Sequence, residues 1–492
     1  MKELDMVFYR DRLSNLTSSI SVLAITIGLL AAQSATQKSL AQTSTTPPPA
    51  GVTSINGLGA STVNTLFVGT GETNPCPFGS KGSWFNVFGV GNPPSLNADL
   101  AAITNSCPVG TYGPVVNNDT FRYASVGSGA GIAAFFNQTV PLASPGPTIL
   151  APVSFAATDD PLAGTQIEQT VTIGTGKPNS GKAIQVPVVG VGITLSYNRT
   201  GLSIPAAGLK LSRNTYCGIL KGTITNWNDS RIRTDNGGAV IAVNLPIKVV
   251  RRSDNSGSTF VLSTHLNTVC KTAATSTIQA ANIWDKGVGS ISTSGTVPPT
   301  PPANTVVWPT TFLSASGGGG VATAISANNG AIGYVDSATR LARSLPAALL
   351  QNKANVYVGP TTAGIQGALS VGTIVKYGTA PSNRLIRIDN LADPNAATAY
   401  PISAATYALF YDVYQNSTTG NLIATHIRTF INWALANSTQ PVPPATNSSN
   451  PTPDQIAINR GYAPLPNTIK TVARTVVNTC VNTTTGASPC TP

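Results

Sequence analysis

The chain has 492 residues, only 10% of them charged, and a formal net charge of +11. That length suits about two to three domains, or one two-lobed unit with insertions, and solubility must rest on the abundant Gly, Pro, Ser, Thr and Asn. A positive field draws small anions, nucleic acid and anionic surfaces alike, but no Lys/Arg run interleaves with aromatics, which excludes an ordinary nucleic-acid face.

Arg10 and Arg12 precede an apolar stretch at 20–32, and small residues follow at Ala35 and Ala41. This is the pattern of a secretory signal peptide over 1–41. The stretch is shorter than the roughly 20 residues that cross a bilayer, and no later run is long and apolar enough, so a mature protein in the periplasm, secreted or at the cell surface is expected. Losing 1–41 removes four basic and three acidic residues and leaves the chain basic. Residues 42–51 read as an extended Pro-rich leader, and the globular part begins near Val52.

Gly57, Leu58, Gly59, Ala60, Ser61 and Thr62 form a first small-residue turn, and residues 127–131, with Ser128, form a second. Each can open a helix, let backbone approach a ligand closely and offer hydroxyl donors. Neither carries the Lys-Ser/Thr ending of a Walker loop. Asp159 follows the strand-like run 154–157, where a strand's C-terminal end faces a crevice. A carboxylate can only accept, so beside an anion it rewards hydrogenphosphate and repels fully ionised sulfate; a helix N-cap in TDDP is the alternative for Asp159 and Asp160.

Apolar β-branched runs at 186–196, 247–250 and 331–335 alternate with helical patterns at 322–327 and 423–437, which suggests α/β lobes with largely parallel sheets. After the second strand comes RRSDNSGSTF at 251–260. Arg252 is a planar, two-pronged donor there, and Ser256, Gly257 and Ser258 put the orphan N–H groups of a helix start beside it. Pro-rich stretches at 297–309 and 440–453 read as surface insertions.

Six cysteines, Cys76, Cys107, Cys217, Cys270, Cys480 and Cys490, make an even count in an exported chain. With no CxxC or Cys/His cluster they point to disulfides and no metal. Sequential pairing is expected, though the count alone leaves other connectivities open. His265 and His426 are too isolated for a triad or metal site and read as structural, Trp227 and Trp433 as core or cap packing. The Asn-X-Ser/Thr sites at Asn137, Asn198 and Asn416 are expected unmodified.

Taken in order, SINGLGAS, SVGSGAG, AATDDPL, GTITNWND, VVRRSDNSGSTF, GAIGYVD, FINWALAN and RGYAPLP resemble the phosphate-binding subunits of bacterial phosphate ABC importers, over about residues 55–474. SINGLGAS, and Cys217 before GTITNWN with HLNTVC ending at Cys270, resemble the DING proteins within that family. The resemblance implies an α/β, two-lobed periplasmic binding protein type II fold, with mixed sheets flanked by helices and two crossings, near 192–195 and 333–335. Lobe 1 would hold 52–192 plus 336–475 and lobe 2 193–335, with a C-terminal tail at 476–492 carrying a Cys pair. It implies phosphate ligands at Ser61, Thr62, Ser128, Asp159, Arg252, Ser256, Gly257 and Ser258, an Arg-orienting role for Asp254, and a Cys217–Cys270 disulfide. Ser61 replaces the usual Thr, Ser258 stands for Thr, and Thr62 stands where Phe or Leu is common, which leaves open whether Thr62 offers more than its backbone N–H. Segment 69–113 and the Cys480/Cys490 tail have no counterpart.

The implied function is extracytoplasmic binding of inorganic phosphate by a monomer, without chemistry or cofactor, for delivery to the membrane permease of a phosphate ABC importer. One rival is a DING-like phosphatase, against which stand the lack of an activated nucleophile and a dinuclear-metal cluster. The other is a cell-surface or matrix interaction protein retaining the fold, favoured by the missing lipid-attachment Cys and the unmatched segment 69–113.

Overall fold

The computed structural model describes residues 53–69, 83–85, 115–116, 119–138, 153–171, 179–271, 278–378, 383–414, 418–437 and 452–482. The signal segment 1–41, the leader 42–51, most of 69–113, residues 440–451, the end of the C-terminal tail, and Cys76, Cys107 and Cys490 lie outside the described residues.

Runs of β-branched and aromatic residues extend because their side chains pack well on a pleated surface. The main sheet runs in the order Leu313–Ala315, Lys248–Arg252, Ala331–Asp336, Asn179–Tyr197, Ser403–Tyr414, Val153–Thr158, Thr53–Gly59, Asp119–Ser125 and Val115–Val116. Its spine is the long strand Asn179–Tyr197, which pairs antiparallel with Ser403–Tyr414 as far as Gly192 and with Ala331–Asp336 from Ile193 onward. To one side, Thr53–Gly59 lies parallel to Asp119–Ser125 and Val153–Thr158; to the other, Lys248–Arg252 lies parallel to Ala331–Asp336 and Leu313–Ala315. The sheet is therefore mixed, and the parallel ladders sit on either side of an antiparallel spine. The helical pattern at 322–327 falls in the helix Gly317–Ala327, and that at 423–437 in Thr418–Ala434, which ends three residues earlier than the pattern.

Buried apolar side chains gather in two principal clusters, one around Ile55, Phe155, Ile184 and Leu409, the other around Leu195, Tyr216, Leu262 and Ile332. Fully burying one Leu, Ile or Phe is worth about 1.5–3 kcal/mol, so each cluster is large enough to organise its own half, as a two-lobed fold requires. The spine feeds both, with Val188 and Val189 in the first and Ile193 and Leu195 in the second. After Asp336 the chain also serves both: Leu349–Gln351 joins Lys210–Leu211 and Tyr357–Val358 in a small sheet, while Ile365 and Leu369 return to the first cluster.

Cys217 and Cys270 form a disulfide with Cα atoms 5.8 Å apart, tying the helix Arg213–Lys221 to the end of Gly257–Val269. Cys480 is also disulfide-bonded, to a partner outside the described residues. The stretch 297–309 departs from the expected surface insertion. Its last part, Thr305–Trp308, is a buried strand parallel to Ile291–Ser294, because TVVW is β-branched and aromatic, whatever prolines precede it.

Trp227 is fully buried, its indole N–H donating to the Gly330 carbonyl at 2.9 Å. His265 lies 2.6 Å by Nδ1 from the Ala392 carbonyl and 3.1 Å by Nε2 from the Tyr216 hydroxyl, and burial pushes its pKa down to about 4, so it stays neutral and structural near pH 7. Among the described residues no helix is long and apolar enough to cross a membrane.

Candidate anion site

Four strands deliver the site from their C-terminal ends, three of them parallel to one another on one side of the spine and Lys248–Arg252, on the other side, running the opposite way. Thr53–Gly59 leads to Ser61 and Thr62, Asp119–Ser125 to Ser128, Val153–Thr158 to Asp159, and Lys248–Arg252 to Ser256, Gly257 and Ser258. Such ends, either side of a point where sheet connectivity changes, are where open α/β sheets form crevices. The first turn is held by Ala60 N–H donating to the Ala157 carbonyl at 2.8 Å and Tyr123 hydroxyl donating to the Ala60 carbonyl at 2.7 Å. Gly127, at φ +90°, makes the second turn, a conformation that side-chain-bearing residues rarely adopt. No side chain caps the helices that begin at Ser61 and Ser128; in the second, Gly129 N–H donates to the Asn255 carbonyl at 3.4 Å, which ties this turn to the one that follows Arg252. At Gly257–Val269, Ser256 is the N-cap, accepting from Thr259 N–H at 3.2 Å.

The predicted residues meet through named contacts. Arg252, 2% exposed, donates from Nε to Asp254 Oδ1 at 2.7 Å and from Nη2 to Asp254 Oδ2, and from Nη1 to Ser61 Oγ at 3.2 Å. Asp254 also accepts from Gly317 N–H at 2.9 Å. This two-bond pair leaves the guanidinium N–H groups not aimed at Asp254 or Ser61 as donors. Across from it, Asp159 Oδ1 accepts from the Thr62 hydroxyl at 2.7 Å and the Thr406 hydroxyl at 2.6 Å, and Asp159 N–H donates to Ser128 Oγ at 3.3 Å. Gly257 packs so closely here that a Cβ would collide with Ser128 Oγ and come within 3.0 Å of the Asp159 nitrogen. Ser61, Thr62, Ser128, Asp159, Arg252, Asp254 and Gly257 thus form one continuous cluster drawn from both sides of the spine, with Ser256 and Ser258 flanking Gly257 in the chain.

Electrostatics separate the two carboxylates. Burial pushes the Asp159 carboxyl up to about 6, against the Thr406 and Thr62 hydroxyls and Arg252, with Asp336 adding to the rise. Burial also works against an Asp254 charge, but hydrogen bonding and attraction to Arg252 outweigh it and hold that carboxyl below its ordinary value. The result is a site with many N–H and O–H donors, one neutralised ion pair and one carboxylate, Asp159, that forms no ion pair among the described residues. Among the described residues, no group of three or more His, Cys, Asp or Glu could hold a metal.

The family model for a PBP superfamily domain matches residues 37–438. The chain belongs to the PBP superfamily. It is similar to the phosphate-binding protein PstS of Methanocaldococcus jannaschii, 28% identical over 270 residues that cover 52% of this chain and 61% of that one. That match therefore spans about six-tenths of the relative's length. It is also similar to alkaline phosphatase L of Pseudomonas aeruginosa, 26% identical over 322 residues covering 63% of this chain and 73% of that one. Among solved structures, a high-affinity periplasmic phosphate-binding protein, PfluDING, bound with phosphate at pH 8.5, aligns with a TM-score of 0.51 at 21% identity, over 86% of this chain and 93% of that one. The two-lobed α/β fold is shared with it.

Sequence reading missed three residues that complete the site. Thr406 reaches Asp159 from the strand Ser403–Tyr414. Tyr462, in RGYAPLP, donates its hydroxyl to the Thr62 carbonyl. Tyr334, in GAIGYVD, accepts from Arg252 N–H at 3.0 Å and sits 2.7 Å from the Thr259 hydroxyl. The only local signal for Thr406 is a hydroxyl on a strand otherwise rich in apolar and aromatic residues.

Proposed function

We propose that this cluster binds one protonated inorganic phosphate between the lobes, outside the cytoplasm, and that the protein hands it to the permease of an ABC importer without chemical turnover. Ser61, Thr62, Ser128 and Asp159 supply one wall of the site, and Arg252, Ser256, Gly257 and Ser258 the other, with Asp254 orienting Arg252. The observation that carries the reading is a buried carboxylate, Asp159, set among N–H and O–H donors and in no ion pair with a basic side chain among the described residues. Donors alone would suit any tetrahedral oxyanion. One acceptor among them suits an anion that brings its own proton, and hydrogenphosphate does so near pH 7 where sulfate does not. Each hydrogen bond to a charged group is worth about 1.5–3 kcal/mol, so a handful of them, less the cost of ordering, supports tight binding.

Calorimetry on protein stripped of bound anion tests this. One phosphate per chain is expected, with sulfate far weaker, and equal affinity for both would remove Asp159 from its role. The similarity to a protein named alkaline phosphatase L keeps a second reading in view. Metal-free protein is expected to leave a phosphomonoester intact, and turnover that survives repurification and vanishes in Ser128→Ala would favour the enzyme.

A further inference from the structure

We propose that Thr62 and Thr406 act together as a lock on Asp159, fixing which carboxylate oxygen faces the anion, and that the Thr62 hydroxyl serves this carboxylate and not the ligand. The proposal rests on the phosphate reading given above. Thr62 and Thr406 are buried, at 1% and 0% exposure, and both hydroxyls donate to the same atom, Asp159 Oδ1, at 2.7 and 2.6 Å. A hydroxyl owns one hydrogen. Both hydrogens are committed to Oδ1, so neither threonine has one left for a phosphate oxygen. What Thr62 can offer a ligand is its backbone N–H.

The lock stands on rigid supports. Thr406 belongs to the strand Ser403–Tyr414, in register with the spine at Val189 and next to the pairing of Tyr407 with Thr158. Thr62 is pinned through its carbonyl by Tyr462. With Oδ1 taking two hydroxyls, and no donor among the described residues on Oδ2, the second oxygen is the acceptor left for a P–OH group. The charged groups around the carboxylate are Arg252 from the opposite wall, Asp336 from the end of Ala331–Asp336 and the neighbouring Asp160, and the phenols Tyr123 and Tyr462 lie nearby. Arg252 favours the ionised form and Asp336 opposes it, as does burial. The two hydroxyls therefore do a second job: they keep Asp159 an acceptor at pH values where burial alone would protonate it.

The test compares phosphate and sulfate binding by calorimetry from pH 5 to 9 in wild type, Thr62→Val, Thr406→Val, the corresponding Ser variants and Asp159→Asn. Each Val variant is expected to lower the phosphate-over-sulfate ratio by about tenfold, the scale of one lost hydrogen bond, and to raise the pH below which discrimination fades. The Ser variants should behave as wild type, because they keep the hydroxyl. If Thr62→Val weakens both anions equally and leaves the pH profile in place, the Thr62 hydroxyl donates to the ligand and the lock is wrong. Unchanged discrimination and pH profile in Thr406→Val overturn it as well. Should a Val variant not fold, the Ala variant at the same position carries the same comparison. Discrimination that survives Asp159→Asn would instead sink the phosphate reading of Asp159, and the lock with it.

Discussion

The two walls of the site each hold an aspartate, one buried and one partly exposed, and they treat it in opposite ways. Asp254 is held by two hydrogen bonds from Arg252 and one from Gly317, so its charge persists to lower pH than an ordinary carboxylate's and is already cancelled. Asp159 is held by two threonine hydroxyls, which steady it without cancelling its charge, and its pKa rises to about 6 by burial. A counter-ion turns a carboxylate into scaffolding, whereas neutral donors leave it sensitive to the protonation state of whatever lies next to it. On the proposed phosphate reading, selectivity belongs to the wall without the cation, and rigidity to the wall that has one.

The harshest way to break this contrast is Arg252→Ala. It removes a buried guanidinium and strips the counter-ion from the partly exposed Asp254, and a loss of up to about 3 kcal/mol in unfolding free energy is expected, with phosphate binding falling below detection by calorimetry. Next comes Gly257→Ala, which pushes the walls apart without touching either charge. The added methyl meets Ser128 and Asp159, and affinity for phosphate should fall at least tenfold while sulfate falls in parallel, since the spacing and not the acceptor has changed.

An acid titration of stability sharpens the comparison. For Asp159 the folded pKa lies above the ordinary value near 4, so between about pH 4 and 6 the native state keeps a proton that the unfolded chain releases, and raising the pH through that window lowers stability. Asp160 and Asp412, pushed by burial to about 7 and about 6, act in the same sense, so Asp159→Asn should reduce the slope, not abolish it. Asp254 works the other way: its contribution is present above the ordinary carboxylate value and is lost as the pH falls through its lowered one. Urea denaturation of the anion-free protein across pH 3–8 reads both. The smallest effect is expected from Lys182→Ala. Its pair with Glu168 is 38% and 39% exposed, and removing it should change stability by less than about 1 kcal/mol.

Much of this site was legible because its parts announce themselves locally. A Gly/Ser turn that opens a helix after a strand has the same backbone chemistry wherever it occurs, so Ser61, Ser128 and Ser256 to Ser258 could be picked out before any fold was known. Arg252 and Asp254 are two positions apart and their pairing needs no long-range contact. Thr406 and Tyr462 carry no such mark. A threonine in a strand usually satisfies only its β propensity, and its partner Asp159 is 247 positions away. The misread stretch at 297–309 fails for a related reason: prolines dominate its composition, but four residues of β-branched and aromatic pattern at its end decide that Thr305–Trp308 is buried. The spine Asn179–Tyr197 was foreseen only as a run at 186–196, since nothing within it signals that its neighbour changes at Gly192.

The bond from Tyr462 to Thr62 joins residues 400 positions apart. A polypeptide delivered N-terminus first has its earliest anion-facing turn long before it has the phenol that clamps that turn. Contacts so distant in sequence form late, because the loop they close is costly until the rest of the chain has collapsed. On the proposed phosphate reading, ligand competence therefore arrives as one of the last acts of folding, after nearly the whole polypeptide is in place.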